Sequence, residues 1–124
     1  MSQPEDRRFP RGLYRVGSEP DPRFSLANER TFLAWIRTSL ALMAGGVALE
    51  AFAAPVQPGF RLAAALILVL AGIGAPAQAW LGWLRTERAM RESRPLPSPR
   101  LAGPLAAVVF VAGLLVVIGL LLWR

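Results

Sequence analysis

The chain has 124 residues, 54% of them apolar, a net charge of +6, and neither Cys nor His. Disulfide frameworks, zinc clusters, Cys/His and Ser/His/Asp centres and His-ligated haem all need a thiolate or an imidazole, so no catalytic, cofactor or metal site is expected and the chain reads as a non-enzyme. Eleven Gly and eleven Pro in so apolar a chain fit membrane helices better than a soluble core.

Residues 1–20, MSQPEDRRFPRGLYRVGSEP, mix charge with Pro and Gly and hold no sustained period, which predicts a flexible cytoplasmic arm. They also lack an apolar run and a small-residue cleavage site, so no cleavable signal peptide is expected. Order begins at Asp21-Pro22. An aspartate N-cap accepts a bond from an early backbone amide, and Pro at the first helical position gives up a donor the helix does not need. Residues 21–124 are the expected membrane domain, with spans at about 31–53, 62–84 and 101–123, each long enough for a ~30 Å hydrocarbon core. A continuous amphipathic juxtamembrane turn, carrying Phe24, Leu26 and Ala27, precedes the first span.

The first span holds Arg37 and Glu50 but has Leu33, Trp35, Ile36, Leu40, Leu42 and Leu49 around its axis, a pattern of burial on all sides. Glu50 is expected at the outer interface. Pro55, Pro58 and Gly59 predict a tight turn, making spans one and two antiparallel neighbours. In span two, Pro76 should kink the helix and free a carbonyl, and Gln78 is expected to bond that carbonyl or a neighbouring helix. RTERAMRE extends span two past the bilayer, and RPLPSPR, with three prolines, ends it. The third span is uncharged. Trp80, Trp83 and Trp123 stand at span ends as interfacial anchors.

Eleven arginines precede span one or lie between spans two and three, against Arg61 and Arg124 on the other side. The positive-inside rule then places the N-terminus in the cytoplasm and the C-terminus outside. The fold class is an all-α membrane protein with three transmembrane helices. No aromatic residues alternate with the charges, so the basic balance reads as attraction to anionic lipid headgroups and not as nucleic-acid binding. The absence of Lys fits a GC-rich genome as well as it fits an anion site.

Arg23, Glu29, Arg30 and Arg37 form the informative cluster. Arg30 and Arg37 are seven residues apart, so they fall within about 20° on one helix face, ~10 Å apart along the axis. Ala34, Ala41, Ala44, Gly45 and Ala48 continue near that face and allow a second helix to approach closely. The face either points into an oligomeric bundle and lines an anion-attracting cavity, or lets Arg37 snorkel to the headgroups. Glu29 is either an ion-pair partner of Arg30 or a cap to a neighbouring helix.

The string DPRFSLANERTFLAWIRTSLALMAGGVAL resembles the opening helix of the YidH-like family, the bacterial domain of unknown function 202. That family is related to the membrane domains of the vacuolar transporter chaperone complex, which makes polyphosphate and passes it through a channel. The resemblance covers residues 21 to about 123 and implies a three-helix membrane protein. It also implies that Arg23 and Arg30, with Glu29 beside them, match basic and acidic residues of that channel, as does Arg100 near the start of the third helix. Arg37 belongs to the bacterial form of the motif. Without polymerase or inositol-phosphate-sensing domains, the chain resembles a small membrane-only subunit. The expected role is a homo- or hetero-oligomeric subunit that forms or gates a phosphate or polyphosphate path; the alternative is a scaffold or assembly subunit whose arginines set topology and bind lipid or a partner protein.

Overall fold

The computed structural model describes residues 7–98 and 102–123. Arg100 and residues 1–6 lie outside the described residues. Four helices follow in order, α1 Arg11–Tyr14, α2 Pro22–Phe52, α3 Pro58–Arg91 and α4 Ala102–Leu122. Among the described residues there is no strand. The last three helices are each long and apolar enough to cross a membrane.

The α2 start follows the capping chemistry read from the sequence. Asp21 accepts from the Arg23 amide at 2.9 Å, with Pro22 at the first helical position. The α3 start repeats the device with a different residue, Gln57, whose Oε1 accepts from the Phe60 amide at 2.9 Å ahead of Pro58. Between them, residues 53–57 turn the chain back, and α2 and α3 pack as an antiparallel pair.

Helix α3 is central. It packs on α2 along one side and on α4 along another, while α2 and α4 do not touch. The three helices therefore form an open row and leave most of each apolar surface uncovered. At the turn, α4 closes against the α2–α3 connection and the start of α3: the Gln57 amide donates to the Gly119 carbonyl at 3.0 Å, and Val56 is buried against Gly119.

Lengths differ in a way that matters. At 1.5 Å per residue, α4 is about 32 Å long, enough for the hydrocarbon core alone, whereas α2 and α3 are about 46 and 51 Å. Since α2, α3 and α4 are tied together at the turn, the surplus of α2 and α3 projects entirely at the arginine-rich end.

Small residues bring α2 and α3 close. A Cβ on Gly46 would stand 2.7 Å from the Ala65 carbonyl oxygen, and one on Gly72 would stand 2.8 Å from the Ser39 carbonyl oxygen. Such contacts are with backbone, so a side chain at either position forces the helices apart. Pro76 lies inside α3 without ending it. The carbonyl its missing N–H leaves open is that of Gly72, and the buried Ser39 hydroxyl donates to it. Gln78, expected in that role, is exposed and makes no hydrogen bond among the described residues.

Candidate functional site

The packed face of α2 runs through Ser25, Asn28, Phe32, Ser39, Leu42 and Gly46, a three-and-four spacing that keeps one stripe on α3. Every polar group on this stripe has a partner within the chain. Ser25 donates to Glu87 Oε2 at 3.2 Å, Asn28 donates to the Trp83 carbonyl at 3.1 Å, and Ser39 serves Gly72. Thr31 and Thr38, beside the stripe, each donate to the carbonyl four residues back at 3.1 Å.

The expected anion-binding residues occupy the other side. Arg30 and Arg37 each sit two residues from a packed position, Asn28 and Ser39, which turns them roughly 160° away from α3. Both are exposed, as are Ala34, Ala41, Ala44, Gly45 and Ala48. Neither arginine has an ion-pair partner among the described residues, and Glu29, also exposed, makes no bridge to Arg30. Arg23 stands apart at the helix start, bridged to Asp21 at 2.8 Å, and its side chain, then the cap amide, holds the Asp21 carboxyl below its usual range. The structure thus brings Arg30 and Arg37 onto one face and places Arg23 beside the Asp21 cap, with its side chain exposed.

At the projecting end of α3 a second polar cluster gathers residues that sequence reasoning did not single out. Arg91 is buried; its guanidinium donates to the Val16 carbonyl at 2.9 Å and the Tyr14 carbonyl at 3.0 Å, and it reaches Glu19 at 3.3 Å. The Ser18 amide donates back to the Arg91 carbonyl at 2.9 Å. Gly17 adopts φ +60°, and any side chain there would collide with that carbonyl. Residues 7–20, read from the sequence as a flexible arm, therefore lie against the end of α3, with Leu13 buried and Arg8 joined to Glu19 and stacked on the Tyr14 ring at 4.1 Å. Burial, then the nearby Glu87 charge, raises the Tyr14 hydroxyl pKa. Beyond Arg91 the helix closes with a Schellman arrangement: Ser93 is left-handed at φ 53°, Arg94 N–H bonds the Ala89 carbonyl at 2.8 Å and Ser93 N–H that of Met90 at 3.4 Å. A serine stands in place of the usual glycine, and the helix ends at Arg91, within the RTERAMRE stretch and ahead of the prolines of RPLPSPR expected to stop it.

At the turn end, Arg61 pairs with Glu50 at 3.4 Å and reaches the Ala53 carbonyl at the same distance, fastening the start of α3 to the end of α2. Among the described residues no group of acidic side chains could hold a metal. The described exposed arginines on α2 can attract an anion but offer no nucleophile or base in contact with them.

A family described as Domain of unknown function (DUF202) matches residues 23–89. The chain belongs to this family. Among DUF202 relatives, the inner membrane protein YidH of Escherichia coli (strain K12) is 44% identical over 112 residues, covering 90% of this chain and 96% of YidH. YidH of Shigella flexneri matches to the same extent. An uncharacterized protein of Mycobacterium tuberculosis is 44% identical over 96 residues, covering 77% of this chain and 79% of its own. No solved structure matches. With three apolar helices of spanning length, this DUF202 chain is an inner-membrane protein of bacteria. The DUF202 match begins at Arg23 and ends at Ala89, so it takes in both faces of α2 and nearly all of α3.

Proposed function

We propose that this protein is a non-enzymatic membrane subunit that self-associates through the outward face of α2, with Arg30 and Arg37 lining a binding site or path for phosphate or polyphosphate. The observation that carries this reading is the division of α2 into two faces. Polar groups toward α3 are all bonded within the chain, while two guanidinium groups on the opposite face have no partner among the described residues. An arginine at the centre of a span costs ~2.5–3.5 kcal/mol on insertion scales, and Arg37, ~9 Å inside the span that begins near residue 31, bears part of that cost. The alanines and Gly45 flanking the pair permit close approach of a second copy, which would enclose the arginines away from lipid. Their planar forks suit phosphate oxygens.

In this reading the arginine-rich end is cytoplasmic, as the positive-inside bias requires, and Arg23 and Arg100 draw anions toward the mouth. The link to the vacuolar polyphosphate complex rests on sequence resemblance.

The test is binding of inorganic phosphate and short-chain polyphosphate to the detergent-purified protein and to Arg30→Gln and Arg37→Gln, over a salt series, with oligomeric state from native mass. Salt-sensitive binding that the variants lose while remaining oligomeric supports the path. Equal binding by wild type and variants overturns it, and loss of the oligomer itself assigns the arginines to assembly.

A further inference from the structure

A cleft of about 360 Å³ opens between α2, α3 and residues 96–98, on the flank of α2 between its packed and outward faces. Its inner wall is Trp35, Gln78, Ala79 and Gly82; its outer part is roofed by Phe24, Met90 and Leu96, and Arg85 lies between. The volume is in the range of small-molecule sites, ~300–1,000 Å³. Small residues keep it open: a Cβ added at Gly82 would meet nothing within 4 Å. Arg85 is half-buried and has no carboxylate partner among the described residues, unlike Arg88, which bridges Glu92 at 3.4 Å one turn away.

We infer that this cleft binds one anionic phospholipid, with the phosphate on Arg85 and the start of an acyl chain running inward past Gly82 to Ala79. Arg85 stands one residue beyond the apolar stretch 62–84, at the level where headgroups lie. From there to Gln78 the cleft descends about 10 Å along α3 between aromatic and small side chains, a wall fitted to a hydrocarbon chain. An unpaired cation at the upper end and an apolar slot below it complement an anionic lipid at both of its parts. Ser98 and Thr86, which also line the outer part, add hydroxyls at headgroup level. The Trp83 ring, stacked on Trp80 at 5.2 Å, fixes one wall, since Trp80 is held in turn by Phe32 at 6.1 Å. The site is independent of the outward arginine face, because none of Arg23, Arg30 or Arg37 lines it.

The experiment offers the full-length protein in detergent equal amounts of phosphatidylglycerol and phosphatidylcholine and counts retained lipid by native mass spectrometry. One phosphatidylglycerol per chain is expected, displaced neither by phosphatidylcholine nor by millimolar inorganic phosphate. Arg85→Gln and the cleft-filling Gly82→Leu should each weaken retention roughly tenfold, a loss of ~1.4 kcal/mol. Arg85→Lys should keep most of it, and Arg88→Gln, which removes the same charge outside the cleft, all of it. Helix content from circular dichroism verifies that each variant is folded. Retention of phosphatidylcholine equal to that of phosphatidylglycerol, equal retention by folded Arg85→Gln, or equal loss in Arg88→Gln overturns the site.

Discussion

The two long faces of α2 both carry small residues and polar ones, yet they treat their polar groups in opposite ways. Toward α3, short side chains, Ser25, Asn28 and Ser39, meet specific acceptors on the neighbouring helix. On the far side the polar residues are long and charged, and nothing among the described residues answers them. A hydroxyl in a membrane helix can be satisfied by one carbonyl, whereas a guanidinium carries five donors and a full charge, which calls for an anion, a headgroup or another chain. Arg91 shows a third fate for the same side chain: buried, but outside the apolar stretch, with two carbonyls and a carboxylate gathered around it.

The packed face is broken most severely where backbone approaches backbone. Gly72→Val should destabilise the α2–α3 pair by about 3 kcal/mol, the upper part of the usual range for overpacking, because its new Cβ meets a backbone oxygen at 2.8 Å that cannot move aside. Denaturant titration in detergent micelles reads the loss. The same substitution at Gly45, where a Cβ meets nothing within 4 Å, should leave this stability nearly unchanged.

Next in size is the Arg91 anchor. Arg91→Met removes two charge-assisted bonds to carbonyls, each worth ~1.5–3 kcal/mol at most, and should free residues 13–19 from α3 without separating α2 from α3. Because the chain lacks cysteine, Arg15→Cys gives a unique spin-label position in this segment. Its label should sharpen from restricted to mobile in the Arg91→Met background.

A subtler break concerns the carbonyl at Gly72. Ser39→Ala leaves it unbonded and should cost about 1 kcal/mol. Adding Pro76→Ala restores an N–H four residues downstream, so the double variant should recover much of that loss. Failure of the second change to rescue the first would mean that Ser39 acts by packing alone.

These cases mark what could be read from sequence. Hydropathy and length gave the three helices, and Asp21-Pro22 gave the α2 start, because both signals are local. The seven-residue spacing of Arg30 and Arg37 likewise fixes their shared face from helix geometry alone. The partner of Pro76 was not legible, since choosing between Ser39 and Gln78 requires knowing how α2 is rotated against α3. Arg91 was hidden for a related reason: its acceptors are two backbone carbonyls and a carboxylate of a segment without periodicity, 72 to 77 residues away in the chain. The end of α3 carries no Gly stop because Ser93 takes the left-handed position.

A small pH effect should separate the anchored segment from the rest. The hydrogen bond from Arg8 holds the Glu19 carboxyl below its ordinary 4.5, with a smaller contribution from Arg91. A carboxylate lowered by folding adds stability above the unfolded value and loses it as pH falls through the folded value. Docking of the segment should thus be constant from pH 7 to 5 and loosen only below about 4.5, an effect kept small by the 61% exposure of Glu19. The Arg15→Cys label follows it directly, and a transition near neutral pH would point to a different group.

The smallest effect within one chain belongs to the outward face, and its smallness is the informative part. Arg30→Gln with Arg37→Gln removes two charges that no described residue contacts, so unfolding of the α2–α3 pair should shift by no more than about 0.5 kcal/mol. Insertion should even improve, because a glutamine inside the first span costs less than an arginine. If residue choice there served only the stability of this chain, the double variant would be the better protein. On the proposed reading, a membrane helix that keeps Arg37 inside its span against that gradient gains something outside the single chain. Chain stability and anion binding measured on one sample of the double variant therefore separate the two faces: unchanged unfolding with lost binding assigns the arginines to a ligand, and a large fall in unfolding stability would return them to the fold.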